Sequence, residues 1–248
     1  MPDLGFQITG VEPAAHGLTP LLHFKLAVSN TPETETIHSI ILQAQIQIQS
    51  PQRSYNPREK GKLLDLFGPP ERWGQTLRNK LWAHAHATVR QFAGSTETIL
   101  PVPCTFDLNV MATKYFYALE AGDVSLLFLF SGTIFYAAPP DGRLQVQQIS
   151  WNQECVYRMP ARTWQELMEQ HYPKSAFLPL PRDVFDRLYD YKCRHGIPTL
   201  EGAVERLLAA EGGVPPTSLH APPWPEEVRG STAVARSFGG GMTPDSPP

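Results

Sequence analysis

The chain is poor in cysteine, with only Cys104, Cys155 and Cys193, widely separated and without a CxxC pair. That spacing excludes a disulfide framework and any four-thiolate zinc or iron–sulfur site made by one chain. Three reduced, structural thiols in a cytosolic protein are expected. Long apolar runs are also missing. The most apolar segment, VSLLFLFSGTIFYAA, is interrupted at Ser131-Gly132-Thr133 and falls short of the roughly 20 residues of a membrane helix. The opening MPDLGFQITG has neither the basic segment nor the apolar stretch of a signal peptide, so a cytoplasmic protein without membrane insertion is expected. Charge of one sign is absent too. With 21 basic and 24 acidic residues the formal net charge is −3, which leaves no basic stripe for nucleic acid.

Phosphate loops and dinucleotide fingerprints are absent. Ser131 in LFSGTIF lacks the GxSxG context of an activated serine and reads as a bend in a buried strand. Cys104 in PVPCTFD reads as a packed small hydrophobe. Asp107 beside it alternates outward, and an acid pair with Glu97 or Asp123 has no spacing that marks it.

What the chain does have is alternation. In ILQAQIQIQS, Gln43, Gln45, Gln47 and Gln49 take one face and Ala44, Ile46 and Ile48 the other. A period of two describes a sheet with one wet face. Similar patterns in GFQITGVE, LLHFKLAVSN, LWAHAHATVRQF and RLQVQQISW give about seven or eight mainly antiparallel strands over residues 1–158. Pro101 and Pro103 assign their strand to an edge or a bulge. The segment ATKYFYALEAGD is open between a strand end and a helical turn. PPDG at 139–142 predicts a turn. An insertion at about 51–80 interrupts the strands, with a short helix expected at about 57–67 between Pro57 and Gly68-Pro69-Pro70.

After Met159 the period becomes helical. Trp164, Leu167, Met168 and Tyr172 share one face, with Pro160 at the first helical position, as do Val184, Phe185, Leu188 and Tyr191 in the next segment, which Gly196 and Pro198 terminate. A third helix starts at Thr199. The expectation is an α+β protein: a β-sandwich-like domain over 1–158, a three-helix unit over 159–211, and a disordered tail over 212–248. In that tail 14 of 37 residues are Pro or Gly, too many for a periodic apolar face. Trp224 in APPWPEE is a candidate linear motif there.

Two surfaces stand out. His84 and His86, two apart on a strand, share a face with Trp82 and Thr88 and could offer two imidazoles to a metal. A third ligand is required, and His16, His23, His38, His171, His195 and His220 form no recognisable second half. The plainer reading is two polar side chains on a wet face, and writing 77–89 as a helix would separate them. The insertion is the other surface. The basic sets Arg53, Arg58, Lys60, Lys62 and Arg72, Arg78, Lys80 frame it. Tyr55, Arg58, Phe67, Arg72, Trp73 and Arg78 combine the residue types that dominate binding hot spots. The alternative is a lid over the sheet end in which Phe67 and Trp73 are buried.

Taken together, LLDLFGPPERWGQTLRNKLWAHAHATV, GSTETILPVPCTFDLNVMATKYFYAL, LLFLFSGTIFY and AVERLL resemble an uncharacterised bacterial family defined only as a domain of unknown function, associated with actinobacteria and other soil bacteria. The resemblance runs from about residue 2 to 211. It implies a setting beside nickel–iron uptake hydrogenases, and so an accessory, maturation or docking role with hydrogenase subunits as protein partners. It carries over no functional residue. The expected function is therefore a non-catalytic interaction protein without a cofactor. A metal-dependent enzyme using His84 and His86 is the alternative. Oligomeric state is not legible.

Overall fold

Strand alternation is realised most clearly at Ile37–Ile48, where Ile40, Leu42, Ala44, Ile46 and Ile48 are buried while Gln43, Gln45 and Gln47 face outward. The computed structural model describes residues 1–15, 17–105, 110–138 and 142–212. Its strands are β1 (Asp3–Pro13), β2 (Leu21–Thr31), β3 (Ile37–Ile48), β4 (Lys80–Val89), β5 (Ser95–Pro103), β6 (Asp123–Ala138), β7 (Arg143–Gln148) and β8 (Glu154–Pro160). Its helices are α1 (Pro57–Lys62), α2 (Leu64–Phe67), α3 (Trp73–Thr76), α4 (Val110–Ala118), α5 (Ala161–His171), α6 (Arg182–Arg194) and α7 (Leu200–Ala210). Antiparallel sheets with helices make this an α+β protein.

One sheet has the order β1-β2-β5. The other has β4-β3-β6-β7, with β8 also pairing β6. All pairings are antiparallel. Proline-bearing β5 lies at a sheet edge, as the missing N–H donors require. The central strand of the first sheet sends fully buried Leu22, Phe24, Leu26 and Val28 inward. Phe24 meets Phe128 of the second sheet edge-on at 5.2 Å between ring centres, and Phe6 stacks on Phe130 at 4.6 Å. These contacts join the two sheets through one apolar core.

β6 changes partner part-way, from β7 at Thr133–Ala138 to β8 at Asp123–Leu129. Gly132 sits at the change with φ +143°, and a Cβ there would lie 2.1 Å from the Ile41 carbonyl oxygen. Only glycine permits that approach.

Four readings change. The helical insertion is broken into α1, α2 and α3 rather than one helix. The ambiguous 112–123 segment contributes to α4, whose Ala112, Tyr115, Phe116 and Ala118 are buried. β4 is a strand, but a register shift opposite Ile46 and Gln47 makes Trp82 a bulge residue. The extra residue reverses the alternation, so Trp82 is buried with Ala85 and Val89 and does not share the exposed face of His84 and His86.

Finally, α5 belongs to the first of two compact units, Met1–Phe177, and not to a three-helix unit beginning at 159. The cause is packing. Trp164 stacks on Phe116 at 5.3 Å and Leu167 is fully buried, so the apolar face of α5 is filled by α4 and the strands. The second unit, Leu178–Pro248, holds α6 and α7, which pack on each other. The Thr199 hydroxyl caps α7 by accepting from the Gly202 N–H at 3.1 Å, and Gly196 follows α6 at φ +62°. His16, Asp107, the first three residues of the 139–142 turn and the tail from 213, with His220 and Trp224, lie outside the described residues.

Candidate functional site

The insertion is held from beneath by its own aromatic residues. Trp73 meets Tyr55 edge-on at 5.3 Å and Phe67 at 6.0 Å. The Trp73 indole N–H donates to the Gly68 carbonyl at 2.9 Å, and the Tyr55 hydroxyl lies 2.9 Å from the Ser50 carbonyl and 2.8 Å from the Tyr115 hydroxyl. Burial pushes both phenols above their ordinary range, so the pair stays neutral and hydrogen-bonded. Tyr55, Phe67 and Trp73 are thus buried, whereas Arg58, Arg72 and Arg78 are exposed. Of the six expected contact residues, Trp73 and Arg78 share the lining of an open hollow with Pro51 and Leu77. Tyr55, Phe67 and Trp73 therefore offer little surface of their own beside the arginines.

Arg53, expected in an exposed basic set, is half-buried, with its side chain 9 % exposed. Its guanidinium donates to the Glu59 carboxylate at 2.7 Å, to the Asp123 carbonyl at 2.9 Å and to the Ala121 carbonyl. Gly122, with φ +83°, leaves room for this approach; a Cβ there would stand 3.2 Å from the guanidinium. Glu59 also accepts from the N–H groups of Asn56 and Glu120, at 3.0 and 2.9 Å, and completes a capping box on α1. Burial would raise the Glu59 carboxyl. The two backbone donors and the guanidinium outweigh it and hold the carboxyl below its ordinary range. This network ties the insertion to the turn before β6.

His84 and His86 are exposed on β4, opposite Gln45 and Gln43 of β3. They share a face. Among the described residues no three His, Cys, Asp or Glu side chains are grouped to hold a metal ion.

The three cysteines are free thiols with different environments. Cys104 is buried, and desolvation pushes its thiol up to about 12. Cys155 is half-buried and also raised by desolvation. Cys193 on α6 is exposed, which corrects the expectation of three structural thiols. Thiolate availability and access set the rate of alkylation. Iodoacetamide labelling of native protein followed by peptide mass spectrometry should therefore modify Cys193 first and Cys104 only after denaturation. Equal rates at the two would contradict this placement.

An aromatic-walled concavity lies where sequence reading marked no site. A cleft of about 160 Å³ opens between α4 and α5 and is closed on one side by residues 172–177. Buried Trp164 is part of its wall, together with Tyr117, Met168, Tyr172 and Phe177. Tyr172 and Phe177 meet edge-on at 4.7 Å. Tyr117 is 65 % exposed, with the Lys62 ammonium 5.8 Å from its ring centre. Lys114, also in the lining, pairs with Asp65 at 3.3 Å. Trp164, Met168 and Tyr172 were legible as one helical face but read as core. Tyr117 lay in the ambiguous segment, so nothing in the sequence joined it to them.

A family model described as "Family of unknown function (DUF6084)" matches residues 1–215. The chain belongs to that family. Nothing among the curated proteins matches it. Among solved structures, the chain is similar to a β-glucosidase from Erythrobacter marinus at 14 % identity and a TM-score of 0.24, covering 60 % of this chain and 15 % of that one. It is similar to β-glucosidase 3B from Thermotoga neapolitana in complex with α-D-glucose at 14 % identity and a TM-score of 0.23, covering 63 % and 17 %. For a β-glucosidase from Paenibacillus barengoltzii the values are 15 %, 0.25, 78 % and 22 %. The chain spans less than a quarter of each of these proteins, and likenesses at such TM-scores carry no argument for this DUF6084 member.

The cleft can hold a ring-sized apolar group. Its volume is close to the roughly 150 Å³ of an apolar cavity that binds benzene, and aromatic walls reward burial of such a group beyond area alone.

Proposed function

We propose that this protein is a non-catalytic docking or accessory protein that binds a partner polypeptide by taking one aromatic or large aliphatic side chain into the α4–α5 cleft. The body, read as a β-sandwich, is the rigid support, and α4 and α5 carry the contact. The observation behind this reading is the cleft itself: apolar, walled by rings, and open to solvent at Tyr117 and Phe177. Buried aromatic anchors dominate binding energy at protein interfaces. The insertion becomes a lid in this reading. Its arginines are rim charges that affect association rate more than affinity. The partner implied by the family resemblance, a nickel–iron uptake hydrogenase in the cytoplasm, is the first to test.

Met168→Trp should fill the cleft without disturbing buried positions. Wild-type protein is expected to co-purify with hydrogenase subunits from a host producing both. The variant, with an unchanged melting temperature, should lose at least nine-tenths of that recovery, about the tenfold that 1.4 kcal/mol supplies. Equal recovery would move the contact off the cleft. Absence of hydrogenase from the wild-type sample would remove that partner.

A further inference from the structure

The outer face of the second sheet mixes apolar bands with uncharged polar rows and carries its charge at one end. Directly paired residues share a face, so the register places Ile41 beside Thr133 and Gln148, Phe135 beside Val146, and Leu127 between Gln47 and Val156. Ile41, Val146 and Val156 are each more than half exposed. Between these apolar bands lie Gln43 and Gln45 with His86 and Ser131, and His84 with Leu129. Among the described outward positions, charge is confined to one end of the face, where Glu154, Arg158 and Asp123 follow one another on β8 and β6.

Five residues, Ile149–Gln153, stand opposite three of β6 between β7 and β8. Hydrogen bonds of 2.9 Å from the Ile149 N–H to Gly132 and from the Phe130 N–H to Gln153 close the bulge. At its tip Trp151 is 93 % exposed. A bulge at an edge re-aims a side chain, and Trp151 extends the apolar band that Ile41, Val146 and Val156 begin, since contiguous exposed apolar surface is what marks an interaction site.

We infer that this face, with Trp151 at its margin, binds a second copy of the same chain. Two arguments select that occupant. The charges at its β8 end, Glu154, Arg158 and Asp123, are of both signs, so a twofold-related copy can meet each with its opposite while no single-sign field attracts a foreign partner. A glutamine side chain both donates and accepts, so a row of glutamines is complementary to its own image across a twofold axis. The size is also sufficient. Nine residues of β3 at about 3.4 Å each, across four strands about 4.8 Å apart, give a flat area of roughly 500 Å² per copy. Two copies then bury about 1,000 Å², the lower bound for a specific interface, before Trp151 is counted. The cleft plays no part, so this inference and the docking function fail separately.

Sedimentation equilibrium of the full 248-residue chain tests it. The wild type should be a dimer at micromolar concentration. Trp151→Ala, in an exposed turn that cannot compromise folding, should raise the dissociation constant about 30-fold, the effect of a 2 kcal/mol hot spot. Ile41→Glu with Val146→Glu should give a monomer with unchanged circular dichroism, whereas Arg78→Glu in the insertion should leave the dimer intact. A wild type that stays monomeric at about 100 μM, where a partner of another kind would be the only remaining occupant, overturns the inference. So does a dimer indifferent to all the face variants.

Discussion

Glu59→Ala is expected to lower the unfolding free energy by about 3–5 kcal/mol in urea denaturation, the range for removing one partner of a buried ion pair. The side chains of Glu59 and Arg53 are 3 % and 9 % exposed, so solvent cannot take over the lost contact. The change leaves a guanidinium that is only 9 % exposed without its counter-charge and frees two part-buried N–H donors, those of Asn56 and Glu120. A loss below about 1 kcal/mol would show that water replaces the carboxylate. The pH dependence has a definite sign. The carboxyl is held below its ordinary value of about 4.3. Its contribution is therefore complete above that pH and declines as pH falls through the lower, folded value. Wild type should lose stability in that acid window faster than Glu59→Gln does.

Gly132→Ala should be comparably damaging. Its methyl would stand 2.1 Å from the Ile41 carbonyl oxygen, which is backbone in the neighbouring central strand and cannot rotate aside. The φ of +143° adds strain for any L side chain. Relief requires β3 and β6 to separate at Leu42, breaking ladder bonds at the middle of the larger sheet. A loss of about 3 kcal/mol or more is expected from strain and unmade hydrogen bonds together. A melting temperature within about 2 °C of wild type would contradict the close approach.

Local periodicity made β3 and α5 legible, because each buries one face and the sequence repeats with that face. Trp82 was misplaced for the converse reason. A bulge adds one residue to one strand only, and nothing in LWAHAHATV marks where the alternation reverses. α4 was ambiguous because Ala112, Tyr115 and Phe116 bury more than one side of it, so no stripe survives. Arg53 looked exposed in a basic string. Its acceptors include carbonyls some 70 positions later, beyond any local pattern. The insertion's aromatics had two readings, exposed contact or burial, and burial is the one the rings adopt. The cleft was invisible for the same reason as the Arg53 network: Tyr117 and Trp164 belong to helices that only the sheets bring together.

The docking reading is tested most directly by a photo-crosslinking residue, p-benzoylphenylalanine, placed at Tyr117 in the native host. The account predicts one discrete polypeptide adduct on irradiation, lost when Met168→Trp fills the cleft and absent when the same residue replaces Arg78. No adduct at Tyr117 above that control, or one that survives Met168→Trp, would contradict it.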